Sequence, residues 1–259
     1  MKIFLSAIEG GSSCKDDGQH MFIDYILKEK PDIKMKYNLV SFYYIRNSPK
    51  TFQKIKKHTE LLLVDSGAHS FQKGKTVDWE EYTKEYAKFI EENDSDNILG
   101  YFEMDVDNII GYDKVLELRK ILEKVSDKII PVWHKNRGID EYKKMCKDYS
   151  GKVVAITGFR NEDIKDEQYL MFLKYAKKHN CKVHCLGMTR KKVLDKVPFD
   201  YVDSSSWVQQ SIFGRIGNKG KVTKEFSKNH RLTVVLHNYL DAMKMQEHYY
   251  QKWRSVNKD

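Results

Sequence analysis

Eight short apolar runs recur along the chain, and a longer segment with the apolar spacing of a helix follows each of them. The runs are nearly continuous in hydrophobic residues, which is typical of strands buried on both faces. Strands that alternate with helices predict βα units and a parallel sheet. The runs span residues 3–8, 39–45, 61–64, 98–104, 129–133, 153–156, 183–186 and 201–202. We therefore predict an α/β fold, a closed (β/α)8 barrel, with an open doubly wound sheet as the alternative.

The length of the chain agrees with one barrel. It has 259 residues, and barrels of this class commonly form a single domain of about 250 residues. We expect a single TIM-barrel domain over residues 1–259. Between the runs, Asp78 and Glu81 have the spacing of a helix capping box. The stretch 204–230 is rich in glycine and lysine and predicts a long loop after the last strand.

Charge and cysteine usage narrow the class of protein. The formal net charge is +9, which favours a polyanionic partner such as nucleic acid, although lysine-rich solvated helix faces would give the same excess. The four cysteines form no Cys-x-x-Cys pair, so a structural zinc site is not expected. No apolar stretch approaches the roughly 20 residues of a membrane span. We expect a soluble protein in the cytoplasm.

Polar side chains follow four of the eight runs, where the active sites of parallel barrels lie. They are Asp65, Ser66 and Gly67 after the third run, Asp105 and Asp107 after the fourth, Trp133 and His134 at the end of the fifth, and Asp203 after the eighth. Carboxylates that share a barrel mouth raise one another's pKa, which suits acid–base chemistry, and they could also hold a metal ion. Each residue alone could instead be a helix cap, a turn residue or part of the packing.

These segments resemble the tRNA-guanine transglycosylase superfamily. Residues 65–72, Asp-Ser-Gly-Ala-His-Ser-Phe-Gln, are similar to the family's Asp-Ser-Gly-Gly-Phe-Gln motif, and Asp105 matches its base-reading aspartate. Residues 155–159 resemble a glycine-containing strand end of the family. Residues 185–189 and 199–203 resemble its Leu-Met-Gly-Val-Gly-Thr segment and the Val-Asp-x-Phe-Asp strand that follows. The order of the motifs is preserved over about half of the chain.

The resemblance implies a chemical role for each matched carboxylate. Asp203 would be the nucleophile, Asp65 the general acid and base, and Asp105 the acceptor for the guanine edge. We expect the base to be lined by Asp105, Asp107, Ser66, Gly67, Trp133, His134, Gly158 and Gly187. The implied reaction is a retaining exchange: Asp203 attacks C1′, guanine leaves, and an incoming base resolves the covalent intermediate. This reaction needs no redox cofactor and no metal.

The family's base-recognising glutamine motif is not evident at residues 132–134. Two further departures separate the chain from the tRNA enzymes of the family. Their Cys-x-Cys-x-x-Cys cluster, which binds structural zinc with a distant histidine, is missing because no cysteine follows Cys185. The chain is also short for a tRNA enzyme. The chain therefore looks more like the DpdA-type DNA transglycosylases, some of them phage-encoded, which place 7-deazaguanine derivatives such as 7-cyano-7-deazaguanine in DNA.

Three alternatives remain open from the sequence. The first keeps the chemistry with tRNA as the substrate, and the second is a non-catalytic nucleic-acid-binding barrel. The third is a metal-dependent hydrolase that uses Asp65, Asp105 and His134.

A basic segment follows the predicted nucleophile. It carries Arg215, Lys219, Lys221, Lys224 and Lys228, separated by glycines. We expect these side chains to contact backbone phosphates, although a solvated loop with no binding role is the alternative. Because C1′ of a stacked nucleotide cannot reach a barrel mouth, the target base must flip out or belong to a single strand.

Overall fold

Eight parallel strands close into a barrel in the computed structural model, which describes residues 1–14, 17–71, 77–158, 164–217 and 220–257. Each strand pairs with its neighbours in chain order, and the eighth returns to the first. The strands are β1 (Lys2–Ser6), β2 (Met35–Ser41), β3 (Thr59–Asp65), β4 (Ile98–Phe102), β5 (Ile129–Ile130 and Val132–Trp133), β6 (Val153–Thr157), β7 (Lys182–Leu186) and β8 (Tyr201–Ser204). The predicted (β/α)8 barrel is confirmed.

Strand β5 is interrupted at Pro131, which has no amide hydrogen to give to a ladder. The segment before the proline pairs with β4, and the segment after it pairs with β6. The Pro131 carbonyl still accepts a hydrogen bond from the Ala155 amide at 2.9 Å. The two segments of β5 therefore close the sheet.

The helices pack around the outside of the barrel. They are α1 (Phe22–Glu29), α2 (Phe42–Ile45), α3 (Pro49–His58), α4 (Trp79–Asn93), α5 (Asp107–Ile110), α6 (Tyr112–Glu123), α7 (Gly138–Asp148), α8 (Tyr169–Lys178), α9 (Lys191–Leu194), α10 (Ser206–Ile212), α11 (Lys224–Asn229) and α12 (Arg231–Asn257). The Asp78 carboxylate caps α4 by accepting from the amides of Glu80 and Glu81, as its spacing predicts. Among the described helices, none is both long and apolar enough to cross a membrane.

Two apolar layers form the core, and the alternation of side chains along each strand assigns residues to them. The barrel interior contains Phe4, Tyr37, Leu39, Leu63, Phe102, Ile130, Val132, Ala155 and Tyr201, while the neighbouring strand residues pack against the helices. Leu63 and Tyr201 point inward, so Asp65 and Asp203, each two residues later, point to the same side at the strand ends.

The predicted strands at residues 3–8 and 98–104 end two residues earlier, at Ser6 and Phe102. Two further predictions differ more. Residues 39–45 were predicted to be one strand, but β2 ends at Ser41 and Phe42–Ile45 forms the short helix α2. A short apolar run does not distinguish a strand from a buried helical turn. The stretch 204–230 is not one loop either, because α10 and α11 lie within it and Arg215 bridges to Lys221.

Candidate active site

The C-terminal ends of the strands surround a cavity of about 620 Å³. All eight strands contribute to its wall, through Ser6, Ser41, Asp65, Phe102, Val132, Thr157, Leu186 and Asp203. Asp105, His134 and Gly187 line it from the segments that follow β4, β5 and β7. The structure therefore brings the three predicted carboxylates, Asp65, Asp105 and Asp203, to one cavity.

Asp203 is held through one of its two oxygens. Its Oδ1 lies 2.9 Å from Nε2 of His184 and accepts a second bond, also 2.9 Å, from the Gly187 amide. Its Oδ2 has a longer contact of 3.5 Å from the Ser6 hydroxyl. Oδ2 is thus the less occupied oxygen, which is the arrangement that an oriented nucleophile needs. Gly187 was predicted to contact the base, but its amide is already bonded to Asp203.

His184 is a site residue that the sequence analysis missed. It lies on β7, is fully buried, and its ring packs between Phe4 and Phe102 at centroid distances of 6.2 and 5.0 Å. Its Nδ1 is buried and has no hydrogen-bond partner in the described part of the chain. The aromatic packing and the bond to Asp203 together fix the ring. The sequence feature that could have identified His184 is a histidine at an inward-facing position of an otherwise apolar strand.

Asp65 carries a pKa suited to proton transfer near neutrality. Burial raises the pKa of its carboxyl to about 6, although His69 and the Gly67 amide oppose the shift, and the negative charges of Asp105 and Asp203 add to it. The Gly67 amide donates to Asp65 Oδ2 at 3.0 Å. Asp65 can therefore change protonation state during a reaction at neutral pH.

Asp105 is ionised and tightly paired. Its two oxygens lie 2.8 and 2.9 Å from His134 Nε2, and its Oδ2 lies 3.2 Å from His69 Nε2. Burial alone would raise the pKa of Asp105, but the hydrogen bonds from His134 and His69 outweigh burial and hold the pKa well below its usual range. Asp105 therefore enters the cavity as a carboxylate, an acceptor with no proton to give.

Arg137 connects the acidic side chains behind the cavity. Its guanidinium donates to Asp107 at 3.1 Å, to Glu103 at 3.1 Å and to Asp105 at 3.3 Å, and also to the Val132 carbonyl. The Arg137 side chain is 1% exposed. Asp107 was predicted to contact the base, but its carboxylate is used by Arg137 and it lies outside the cavity wall.

The same cluster bears on the metal-dependent alternative. Asp105, Asp107 and His134 offer ligand atoms that lie within 4.8 Å of one another, a spacing that a cation could use. The Arg137 guanidinium already supplies positive charge to both carboxylates. The cluster is therefore organised as an ion-pair network, and Asp65, which the hydrolase alternative requires, is not part of it.

We expect Arg137→Met to destabilise the fold by about 3–5 kcal/mol, because it leaves buried Glu103 and Asp105 without their shared cation. Urea unfolding followed by circular dichroism measures the change. Arg254→Met is the matched control, since Arg254 is exposed near the end of α12. A free energy of unfolding within about 0.5 kcal/mol of the wild type would show that the network contributes little.

Ser66 and Gly67 were predicted to line the base, and they do not line the cavity. Ser66 is buried, and its carbonyl accepts from the Tyr82 hydroxyl at 2.7 Å. Gly67 has a φ of 73°, and a Cβ at this position would lie 2.5 Å from the Ser41 hydroxyl oxygen. Both residues therefore shape the turn that holds Asp65.

Trp133 and Gly158 also lie outside the cavity wall. Trp133 follows inward-facing Val132, so its ring points outward, where it packs on Phe172 and donates to the Gly138 carbonyl at 2.8 Å. The Gly158 amide donates to the Leu186 carbonyl at 2.8 Å, so it is not free to meet a base. Phe102 and Leu186 line the cavity instead.

Three of the predicted phosphate contacts are exposed side chains. Arg215, Lys221 and Lys228 lie on the surface between α10 and α12. Lys219 and the side chain of Lys224 lie outside the described residues. These three side chains are exposed to solvent, and their contact with phosphates stays a prediction.

Comparisons with known proteins support the fold. No family model matches the chain, and a search of curated proteins finds no match. The chain is similar to the crystal structure of a "putative fructose-1,6-biphosphate aldolase" from Coccidioides immitis, with 10% sequence identity and a TM-score of 0.54. The match covers 95% of this chain and 90% of that one. At this identity the similarity is one of barrel architecture, which hosts many unrelated reactions.

Proposed function

We propose that this protein exchanges guanine in DNA for a 7-deazaguanine derivative, such as 7-cyano-7-deazaguanine, through a covalent Asp203–sugar intermediate. The observation that carries the proposal is the convergence of Asp65, Asp105 and Asp203 on one cavity. Two carboxylates with different roles are what retaining substitution at a sugar carbon requires. The exposed basic side chains after β8 suit a polyanionic substrate.

The chemistry divides between two carboxylates. Asp203 Oδ2 attacks C1′ while the bond from C1′ to N9 breaks, and the departing guanine keeps the bonding electrons. Asp65, in its acid form, gives a proton to the departing base. As a carboxylate it then takes the N9 proton of the incoming base, whose N9 attacks C1′ and releases Asp203. A pKa of about 6 lets Asp65 occupy both forms near neutral pH.

Base selection falls to Asp105. A carboxylate accepts hydrogen bonds from the N1–H and exocyclic amine of a guanine-like base, whereas adenine has no N1–H. His69, whose side chain is 73% exposed, is the Asp105 partner that a bound base could displace. His134 and Arg137 would stay in place and keep Asp105 ionised.

The experiment that tests the proposal supplies labelled guanine together with DNA or with tRNA. We expect the label to enter DNA, as the resemblance to the DpdA-type DNA transglycosylases implies. Incorporation into tRNA alone would show that RNA, and not DNA, is the substrate. Binding of DNA with no incorporation into either polymer would favour a non-catalytic barrel, and loss of activity with a chelator would favour the metal-dependent alternative.

The pH dependence of exchange should report Asp65. Because burial raises its pKa to about 6, the carboxylate that accepts the proton of the incoming base is lost below that pH. We therefore expect kcat/KM for the incoming base to rise with pH through about 6. A pH–rate profile at saturating DNA measures it. A profile that is flat over this range, or one that turns near the ordinary aspartate value of about 4, would exclude Asp65 as this base.

His184→Phe should slow exchange by up to about 100-fold, because the nucleophile loses the ring that orients it. Phenylalanine keeps the packing against Phe4 and Phe102, so the melting temperature checks that the barrel is intact. His184→Gln, which retains a donor, should recover part of the rate. Equal rates for His184→Phe and the wild type would show that Gly187 and Ser6 suffice to hold Asp203.

A further inference from the structure

Glu9 is a buried acid in the cavity wall that the proposed reaction does not use. It follows β1 and is 6% exposed. Its Oε1 accepts from the Ser41 amide at 3.0 Å, while its Oε2 is buried and has no hydrogen-bond partner in the part of the chain that the structure describes. Ser41 lines the same cavity, and its hydroxyl is also buried with no hydrogen-bond partner among the described residues. Buried polar atoms in native proteins are nearly always bonded, so these two atoms are available to a ligand that enters the cavity.

The surroundings of Glu9 favour its acid form. Burial raises the pKa of its carboxyl to about 7; two backbone hydrogen bonds oppose the shift, and the negative charge of Asp65 adds to it. Asp105, Asp203 and His69 face the same cavity. At neutral pH a large fraction of Glu9 therefore carries a proton, and Oε2 can donate a hydrogen bond as well as accept one.

Glu9 also borders a second cavity, of about 330 Å³, that shares Ala7, Glu9 and Tyr44 with the first. Phe22 and Ile212 line its apolar part. Arg231 lines it too, and its buried Nε has no hydrogen-bond partner among the described residues. The two cavities meet at Glu9, and the second leads toward α10 and α12, between which the exposed basic residues lie.

The order of strands around the barrel indicates which part of the substrate reaches Glu9. In the proposed function, the base lies against Asp105 after β4 and His134 after β5, and Asp203 on β8 meets C1′. Glu9, which follows β1, and Ser41, at the end of β2, lie on the part of the cavity wall that remains for the rest of the nucleotide. The sugar and phosphate there offer mainly oxygen acceptors, and an ionised Glu9 would repel a phosphate.

We propose that Glu9, in its acid form, donates a hydrogen bond from Oε2 to a sugar–phosphate oxygen of the target nucleotide, at the point where the strand leaves the reaction cavity for the second cavity. This inference rests on the proposed function, because it assigns the backbone of the same nucleotide. It makes Glu9 a binding residue whose protonation controls the affinity for the strand.

The test compares Glu9→Gln with Glu9→Ala and with Glu29→Gln, a control at the exposed end of α1. Fluorescence anisotropy gives the Kd of a single-stranded guanine-containing oligonucleotide between about pH 7 and pH 8.5, where Asp65 is already ionised. Over that range we expect wild-type affinity to fall about tenfold as Glu9 loses its proton. Glu9→Gln, which keeps a donor and cannot ionise, should bind as tightly as the wild type at pH 7 and stay constant, whereas Glu9→Ala should bind weakly throughout.

Two results would overturn the inference: Glu9→Gln binding as weakly as Glu9→Ala, or Glu9→Gln keeping the wild-type dependence on pH. Exchange of labelled guanine by the wild type, measured in parallel, separates this inference from the proposed function. If the wild type exchanges bases but the Glu9 variants give either of those results, only the role of Glu9 is wrong. If the wild type neither binds nor exchanges, both are wrong.

Discussion

Asp203→Ala should reduce base exchange by at least about 10⁴-fold, because it removes the proposed nucleophile of the covalent intermediate that divides the reaction into two steps. The affinity for DNA should stay nearly unchanged. In the proposed complex Asp203 is a negative charge that makes no contact with a phosphate, so the substitution removes no favourable contact with the DNA backbone. Asp203→Asn keeps the shape of the side chain and should fail equally, because an amide oxygen is a poor nucleophile. Exchange of labelled guanine and a protein–DNA adduct on denaturing gels measure the two steps.

Asp148→Ala serves as the control for the loss of an aspartate, since Asp148 is exposed at the end of α7. It should exchange bases at the wild-type rate. Full turnover by Asp203→Ala would refute the nucleophile assignment, whatever the affinity for DNA.

Asp105→Asn should raise the KM for guanine about 100-fold or more. Two charge-assisted hydrogen bonds to the base would be lost or reversed, which costs about 3 kcal/mol or more. The amide also places a donor opposite the donors of guanine, so discrimination against other bases should fall. Competition between labelled guanine and unlabelled adenine measures the change in selectivity.

The same variant removes the negative charge that His134 and Arg137 share. The melting temperature of Asp105→Asn must therefore be measured together with its kinetics. This control shows whether a higher KM comes from a folded protein. An unchanged KM in a folded Asp105→Asn protein would show that the base is read elsewhere.

The charges of the site form two groups with different tasks. Asp105, Asp107 and Glu103 are neutralised by Arg137, with His134 and Arg119 as further partners, and this group stays fixed. Among the described residues, no lysine or arginine forms an ion pair with Asp65 or Glu9, and burial raises the pKa of each toward neutrality. The site therefore contains one carboxylate held ionised, Asp105, and two acids, Asp65 and Glu9, whose pKa lies nearer neutrality.

The barrel and its carboxylates could be predicted because they follow from simple periodicity. Near-continuous apolar runs identify strands buried on both faces, and the first polar residue after such a run lies at the mouth. The alternation of side chains also sends Asp65 and Asp203 inward. The same rule places Trp133 outside the cavity, because it follows inward-facing Val132, and the prediction that Trp133 meets the base did not apply that rule.

The contacts of the other site residues could not be predicted from local pattern. His184 lies within an apolar run, and only the pairing of β7 with β8 shows that it meets Asp203. Arg137 reaches Glu103 across 34 positions of sequence, and Glu9 reaches Ser41 across 32. Such contacts depend on how the segments after the strands fold over the mouth of the barrel. No periodic pattern in the sequence predicts the conformation of these segments.

Mass spectrometry of nucleosides tests the central claim most directly. DNA incubated with the protein and 7-cyano-7-deazaguanine is digested, and its nucleosides are compared with those from DNA incubated with Asp203→Ala. We predict a deoxynucleoside of the incoming base, matched by free guanine in solution, with the wild type alone. Unmodified DNA after incubation with a folded, DNA-bound wild-type protein, or modified DNA from Asp203→Ala, would contradict the account.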